Sequence, residues 1–351
     1  MSFLRNAWYP LCWSDEVAGV ALKPCMILGE RVVLYRKGDG GIAALEDICP
    51  HKFLPLSMGR RKGDQIECGY HGMTFDCSGR CTVIPGQPVV PATARVRAYP
   101  VADRLGLVWI WMGDPAKADE GSLTDLPQYH DPAWKAVHGA SLFNAANYLN
   151  LIDNLLDPSH VTFVHGSTLA TPGGRDVPVQ CERQGDGITV WRWILDSPPI
   201  PVFAKTGHFK GNADRWHYYM FTPPSNCVID FGSGEPGALT EETRSQGLQI
   251  FACHFITPVD ETSCIDHWLH VRNFRIDDTA LDAQLNADLA GAFNEDKAIL
   301  EAIQQQEARY PERRQMKLAI DGGPNRMRMV MRRLMEAETR QDAASDTSTA
   351  A

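Results

Sequence analysis

The chain has 351 residues, 44% of them hydrophobic and 22% charged, and 34 Lys and Arg stand against 43 Asp and Glu for a net charge of −9. An acidic balance counts against non-specific binding to nucleic acid or to an anionic membrane, both of which attract clustered cations. No apolar run approaches the roughly 20 residues of a membrane-spanning helix.

The length suits two domains with a substantial core. The opening stretch MSFLRNAWYPLC lacks the apolar segment of a secretory signal, and the ten cysteines show no regular framework. Reduced thiols, a metal site and a cytoplasmic location are therefore expected.

From residue 8 to about 113, short β-type runs alternate with Gly- and Pro-bearing turns: RVVLYRK, GIAALED, QIECGY, MTFDCSG, ARVRAYPV and GLVWIWMG. They predict a small antiparallel β domain over 1–115. Residues 144–157, NAANYLNLIDNLLD, suit a helix. Residues 188–275 return to strands, among them ITVWRWIL, RWHYYMFT, NCVIDFG, LQIFACHFIT and CIDHWLHVRNF. A long amphipathic helix is expected over 279–309 and a shorter one over about 324–338, completing a larger helix-and-antiparallel-sheet domain over 116–338. The tail 339–351 is small and polar, and disorder is expected there. The fold class is α+β.

The stretch CPHKFLPLSMGRRKGDQIECGYHG, residues 49–72, holds Cys49, His51, Cys68 and His71, one cysteine and one histidine at each end. A Cys2His2 zinc finger usually takes its cysteines from one loop and its histidines from another. Here each loop supplies one of each, so two thiolates can serve one iron and two imidazoles the other. That is the requirement of a Rieske [2Fe–2S] centre. The spacing C-x-H-x16-C-x2-H resembles that signature, with a structural zinc as the competing reading. IPGQPVV, beyond the second loop, fits a stiff cover, and Cys77 and Cys81 read as small buried residues.

NLIDNLLDPSHVTFVH, residues 150–165, places Asn150, Asp153, Asn154, Asp157 and His160 on one polar stripe of a helix, opposite Leu149, Ile152, Leu155 and Leu156. A solvated face is the plain explanation. Against it, the stripe ends in His160 and His165, where Pro158 disfavours regular helix and lets both imidazoles turn inward. Two histidines lack the carboxylate of a 2-His-1-carboxylate iron site. In the 279–309 helix the apolar stripe runs Leu281, Leu285, Leu289 and Ala292, then Asp296, Ile299 and Ile303. Asp296 thus occupies a core position, costly for a carboxylate unless it is paired or bound to metal, while Glu295 is expected to point elsewhere.

RNAWYP, DICPHKFLPLS, CGYHGMTFD, GLVWIWMGDPAKAD, IDNLLDPSHVTFVH, FITP, RNF and NEDKAILEAIQ together make the chain resemble the Rieske non-haem iron oxygenases over about residues 3–335. The likeness is greatest to the vanillate O-demethylase, dicamba monooxygenase and toluenesulfonate monooxygenase branch. It implies Cys49, His51, Cys68 and His71 as cluster ligands and His160, His165 and Asp296 as ligands of a mononuclear Fe(II). It implies that Asp157 joins the two centres, between a Rieske histidine of one subunit and His160 of the next in a homotrimer, with Asn154 supporting the site. His254 is an expected polar contact to the substrate. Asp230 stands near the expected pocket where an amide would suit an anion better, which counts against carboxylate recognition. Pro158 departs from the family pattern.

The resemblance implies a terminal oxygenase component that takes O2 and electrons from a separate NAD(P)H-dependent reductase, directly or through a ferredoxin. Its expected substrate is a substituted aromatic compound, oxidised by O-demethylation of, for example, a methoxybenzoate. Hydroxylation or dioxygenation within the family is the alternative, and a Rieske electron carrier or a zinc-stabilised binding module are the alternatives of other classes. GSGEPG at 232–237 formally matches a dinucleotide-binding glycine pattern, but no βαβ unit surrounds it and a hairpin turn is expected.

Overall fold

The computed structural model describes residues 3–166, 174, 177–205 and 208–349. It divides into two compact units, one of Met1–Asp125 with Thr257–Glu261 and Glu338–Ala351, the other of Leu126–Ile256 with Thr262–Ala337. Among the described residues no helix is long and apolar enough to cross a membrane.

The first unit contains three small antiparallel sheets. One has the order β1 (Trp8–Trp13), β11 (Leu107–Trp111), β10 (Val101–Arg104). The second runs β2 (Lys23–Ile27), β3 (Glu30–Arg36), β4 (Ile42–Glu46), β9 (Ala98–Tyr99). The third runs β5 (Arg60–Lys62), β6 (Gln65–Glu67), β7 (Thr74–Phe75), β8 (Cys81–Val83). Val33, Tyr35, Leu45, Leu56, Ile66 and Phe75 bury a shared core in which Cys49 and Cys68 are embedded. Cys81 is buried as expected, but Cys77 is exposed.

The boundary falls at Asp125 rather than 115, and a short segment from far along the chain joins this unit. The Thr257 hydroxyl donates to the Pro10 carbonyl at 2.7 Å, and the amides of Leu28 and Gly29 donate to the carbonyls of Pro258 and Val259. The Glu338 carboxylate likewise accepts from the backbone amides of Arg5 (2.7 Å) and Asn6 (2.5 Å). The last helix runs Gly322–Thr349, so 339–349 are helical rather than disordered. Ala, Glu, Gln and Arg in AETRQDAA are good helix formers, which a reading of the tail as merely polar overlooks.

The second unit is built on a seven-stranded antiparallel sheet. Its order is β12 (Lys135–Asn144), β18 (Cys264–Arg272), β17 (Leu248–Pro258), β16 (Asn226–Gly234), β15 (Ala213–Thr222), β14 (Gly187–Ser197), β13 (Gln180–Gln184). Its helices are α1 (Pro127–His130), α2 (Tyr148–Leu155), α3 (Val161–Val164), α4 (Pro201–Ala204) and α5 (Thr279–Arg309), and α6 is the Gly322–Thr349 helix. Strand β12 was not expected, because KAVHGASLFN alternates poorly and carries a register shift between His138 and Ser141.

GSGEPG is not a dinucleotide loop: its first residues end β16 and the rest open the connection to β17. Gly232 is there for packing. A Cβ on it would lie 2.0 Å from Cζ2 of the buried Trp216 on the neighbouring strand.

Along α5 the buried residues are Leu285, Leu289, Ala292, Phe293, Asp296 and Leu300. The predicted stripe holds to Asp296, but Ile299 and Ile303 are exposed, and Phe293 and Leu300 take the core positions instead. Leu289, Ala292 and Phe293 pack on Trp268 of β18, which fixes the turn of α5 that carries Glu295 and Asp296.

Candidate metal centres and active-site cavity

The two cysteine–histidine loops have the same backbone. In the first, Cys49 N–H donates to Leu54 O (2.9 Å) and Phe53 N–H to Cys49 O (2.9 Å). In the second, Cys68 N–H donates to Met73 O (2.8 Å) and Gly72 N–H to Cys68 O (3.1 Å). The fifth residue of each loop has positive φ, 60° at Phe53 and 72° at Gly72. Glycine takes the positive φ of the second place without strain, and a Cβ there would also stand 3.0 Å from Pro85 Cγ.

These turns leave Cys49 and Cys68 buried and His51 and His71 exposed, with the two imidazole centroids 4.6 Å apart. Burial pushes the Cys49 thiol up to about 11, and the neighbouring Cys68 adds to it. Two thiols held together away from water are poor company for one another unless a metal ionises and binds them. Ile84, Pro85, Gln87 and Pro91 line one space with His51 and His71, so the IPGQPVV region stands over the imidazoles as expected.

The second centre is assembled from α2, α3 and α5. Asn147 caps α2, its side chain accepting from Leu149 N–H, and the helix stops before Pro158. The chain turns and begins again as α3, flanked by His160 and His165, so the break at Pro158 is what aims both rings inward. Asp296 meets them from α5. His160 Nε2 lies 3.5 Å from Asp296 Oδ1 and His165 Nε2 lies 3.2 Å from Oδ2. Among the described residues, these are the ones whose potential ligand atoms gather within 4.8 Å of one another. The Cys–His quartet does not gather so closely, although four ligands of one tetrahedral zinc would have to.

Supporting contacts surround the trio. Asn154 Nδ2 donates to Asp296 Oδ1 at 3.0 Å. Glu295 was expected to point elsewhere; its Oε2 instead lies 2.8 Å from His165 Nδ1. Nothing in the apolar periodicity signals that contact. Burial opposes the charged form of all three trio members. At His165 the Asp296 and Glu295 carboxylates outweigh it and raise the imidazole, while His160 is held below its ordinary value. Asp296 is lowered in spite of burial, by the His165 hydrogen bond and the two imidazoles. His160 Nδ1 is buried without a hydrogen-bond partner. Two imidazoles and a carboxylate converging with open sides match an octahedral non-haem iron.

The polar stripe on α2 is not a solvated face. Asn150 Nδ2 donates to Glu307 at 2.8 Å, and Arg328 donates to Asp153 and to Asn150, each at 2.7 Å. Asp157 is half-buried and accepts from Ser159 N–H at 2.8 Å.

The trio lies in the wall of a cavity. The other walls are apolar, from Ile200, Ile229, Phe231, Leu289 and Phe293 among others, with His217 and Tyr219 as polar members that sequence reading missed. Their only advance signal is the alternation of RWHYYMFT. The two expected substrate contacts need correction. Asp230 points to the opposite face of β16 from its neighbours Ile229 and Phe231, because strand side chains alternate. Its carboxylate is engaged by Trp216 Nε1 (3.0 Å), Gln249 Nε2 (2.7 Å) and Arg244 Nε (3.0 Å). His254 is fully buried, with Nδ1 2.8 Å from Asp266 and its ring 4.6 Å from that of Phe293, so Phe293 rather than His254 lines the cavity.

Residues 7–100 match the Rieske [2Fe-2S] domain, and residues 144–337 match the vanillate O-demethylase oxygenase C-terminal domain. The chain is 36% identical over 341 residues to the toluene-4-sulfonate monooxygenase system iron-sulfur subunit of Comamonas testosteroni, covering 96% of this chain and 98% of that one. It is 34% identical to the vanillate O-demethylase oxygenase subunit of Pseudomonas sp. (strain HR199 / DSM 7063), with 97% of each covered. The crystal structure of dicamba monooxygenase with non-heme iron and dicamba superposes with a TM-score of 0.84 at 31% identity, covering 97% of this chain and 100% of that one. The chain belongs to the Rieske non-haem iron oxygenases, oxidoreductases that carry a Rieske [2Fe–2S] cluster and a mononuclear iron.

Proposed function

We propose that this chain is the oxygenase component of a multicomponent monooxygenase that O-demethylates a substituted aromatic compound, taking electrons from a separate NAD(P)H-dependent reductase. The observation that carries the reading is a trio of iron-type ligands, His160, His165 and Asp296, in the wall of a largely apolar cavity. A protein that only carries electrons has no use for such a cavity. The toluenesulfonate, vanillate and dicamba relatives support an aromatic substrate.

The first unit carries the cluster, with Cys49, Cys68, His51 and His71 as its ligands, and the second carries the iron. When bound, the cluster supplies electrons one at a time and the iron supplies O2 activation. The chain's own groups set the conditions for this. Glu295 holds the Nδ1 proton of His165, which fixes the tautomer and leaves Nε2 for metal. Asn154 holds Asp296 Oδ1 in place. Ile200, Ile229, Phe231 and Phe293 give the cavity its apolar walls and keep water from the reacting carbon.

In a closed ring of three subunits, Asp157 would accept hydrogen bonds from His160 and from a Rieske histidine of a neighbouring subunit, contacts that the single chain does not itself contain. Hydroxylation of a methoxy carbon leaves a hemiacetal, which separates into a phenol and formaldehyde.

Product analysis over a panel of methoxybenzoates, methylated arenes and arenesulfonates tests the proposal. Formaldehyde and a phenol, formed in step with O2 consumption, are expected from a methoxy compound. A dihydrodiol from an unsubstituted ring edge, with no formaldehyde from any methoxy compound, would replace demethylation by dioxygenation.

A further inference from the structure

Two arginines on the cavity face of the sheet have no acidic partner among the described residues. Arg192 on β14 and Arg215 on β15 are 3% and 2% exposed. In the β14–β15 register Arg192 stands opposite His217 and Ile194 opposite Arg215, so all four side chains share one face. That face continues to Tyr219, and His217 and Tyr219 line the cavity beside the iron trio.

What the guanidinium groups do touch is neutral. Arg192 Nη1 donates to the Gly174 carbonyl at 2.8 Å, and Arg215 Nη2 donates to the Ser197 hydroxyl at 3.2 Å. The Nε of each is buried with no partner. Ser197 reaches Arg215 because β14 shifts register between Ile194 and Ser197, with Asp196 at φ 44°. Burial and the neighbouring Arg192 lower the Arg215 guanidinium to about 10. His217 is driven to its neutral form by burial and by both arginines.

Two like charges buried side by side are expensive, and such charges are kept where they are paired or where a ligand pairs them. Arg192 and Arg215 put positive charge behind this wall, while Asp296 and Asp157 act on Tyr219 from the trio side. Asp230, the acid whose presence counts against an anionic substrate in the sequence, faces the other way and is already neutralised by Arg244.

We propose that Arg192 and Arg215, which share this face but stand behind the His217–Tyr219 wall and not in the cavity lining, set the cavity's preference for an anionic substituent, a carboxylate or sulfonate, on the aromatic substrate. The Tyr219 hydroxyl, 3.4 Å from His217 Nδ1, and the His217 imidazole offer hydrogen bonds at the wall. The arginine pair supplies the charge that selects an oxyanion over an uncharged group of the same shape. The anchored end lies at this wall and the opposite end of the ring faces the trio. Both arginines act as specificity-determining residues and do not reach the reacting atoms.

The inference rests on the cavity being the substrate site, and its test reads binding without turnover. The oxidised, metal-loaded protein is titrated by calorimetry with 4-methoxybenzoate and toluene-4-sulfonate, and with the uncharged 4-methoxybenzamide and toluene-4-sulfonamide. At least one anion is expected to bind ten times more tightly than its amide. Arg192→Met and Arg215→Met should each abolish that preference while leaving amide binding within about twofold, whereas Arg192→Lys and Arg215→Lys should keep most of it. A general packing defect would weaken acid and amide alike, so the ratio separates charge from structure. If the methionine variants do not fold, the wild-type ratio and the lysine variants still decide.

Equal binding of acids and amides by the wild type overturns the inference, as does failure of both anions to bind at millimolar concentration. Demethylation of the amide alone would overturn the inference and leave the proposed function standing. Tight anion binding with no oxidised product from any methoxy compound would do the reverse.

Discussion

Glu295 and Asp296, neighbours on α5, hold the two nitrogens of one imidazole: His165 Nδ1 lies 2.8 Å from Glu295 and Nε2 lies 3.2 Å from Asp296. The contact runs across the inner edge of the helix, so a single turn of α5 supplies both a ligand-type carboxylate and the partner that sets the ring's tautomer. The two acids should therefore fail differently. Asp296→Ala is expected to keep the visible cluster absorption, lose the mononuclear iron and lose turnover. Glu295→Gln keeps the size but can present an N–H where an acceptor is needed, and a loss of roughly 10- to 100-fold in iron affinity or turnover is expected. Iron content and product formation, measured on both, check the assignment. An active Asp296→Ala beside a dead Glu295→Ala would exchange the two roles.

Much of this arrangement is legible in the sequence, for physical reasons that differ by residue. The cluster loops can be read because both are short turns whose pattern survives in one dimension. Asp296 can be read because a carboxylate at a core position breaks a 3.6-residue period. Glu295 cannot, because its importance lies in reaching sideways to a ring 130 residues away. Asp230 was misplaced by one side of a strand, and with it the polarity of the cavity. Arg192 and Arg215 carry no signal at all until the β14–β15 register sets them together, since an arginine in a strand usually means an exposed edge.

The metal inventory follows from the two donor sets. On the proposed ligand sets, two irons with acid-labile sulfide are expected at Cys49, Cys68, His51 and His71, and one more iron at the His160–His165–Asp296 trio. Elemental and sulfide analysis of the purified protein should find both kinds. Stoichiometric zinc without visible absorption would overturn the cluster assignment.

Gly232 tests the packing of the sheet that carries the cavity. An added Cβ would lie 2.0 Å from Trp216 Cζ2 and 2.5 Å from the Leu248 carbonyl oxygen. Neither neighbour can yield cheaply: the indole is buried with its Nε1 tied to Asp230, and the carbonyl is backbone. Gly232→Ala is expected to destabilise the second unit by about 1–3 kcal/mol or more. A urea midpoint unchanged from wild type would show that the strand slides without cost.

His270, fully buried on β18, is pushed down to about 4 by burial and by Arg272. Its folded value is below its unfolded value of about 6.5. Between those values the unfolded chain binds a proton that the native chain refuses, so stability falls as pH drops, by up to about 1.4 kcal/mol per pH unit. Above pH 6.5 the residue has no such effect. Urea midpoints at pH 7.5 and 5.0 should therefore converge in His270→Gln relative to the wild type. An equal acid loss in both proteins would assign the effect elsewhere.

Asp157 offers the sharpest test of how electrons reach the iron. One of its oxygens accepts from Ser159 N–H at 2.8 Å, which pins the turn after α2, and the side chain remains accessible beside His160. Asp157 acts on His160 both through its charge and through its backbone, each favouring the protonated imidazole. The proposed second acceptor contact, to a Rieske histidine of a neighbouring subunit, needs the negative charge and both lone-pair-bearing oxygens. Asp157→Asn preserves the volume and can keep the Ser159 contact, but it replaces one acceptor by a donor. It should therefore leave folding, both metal centres and the trimer intact while slowing electron transfer severely. The purified variant is reduced at the cluster and mixed with substrate and O2, and the return of the oxidised absorption is followed in a single turnover. Reoxidation at the wild-type rate would remove Asp157 from the route, and a wild type that sediments as a monomer would remove the ring of subunits on which the route depends.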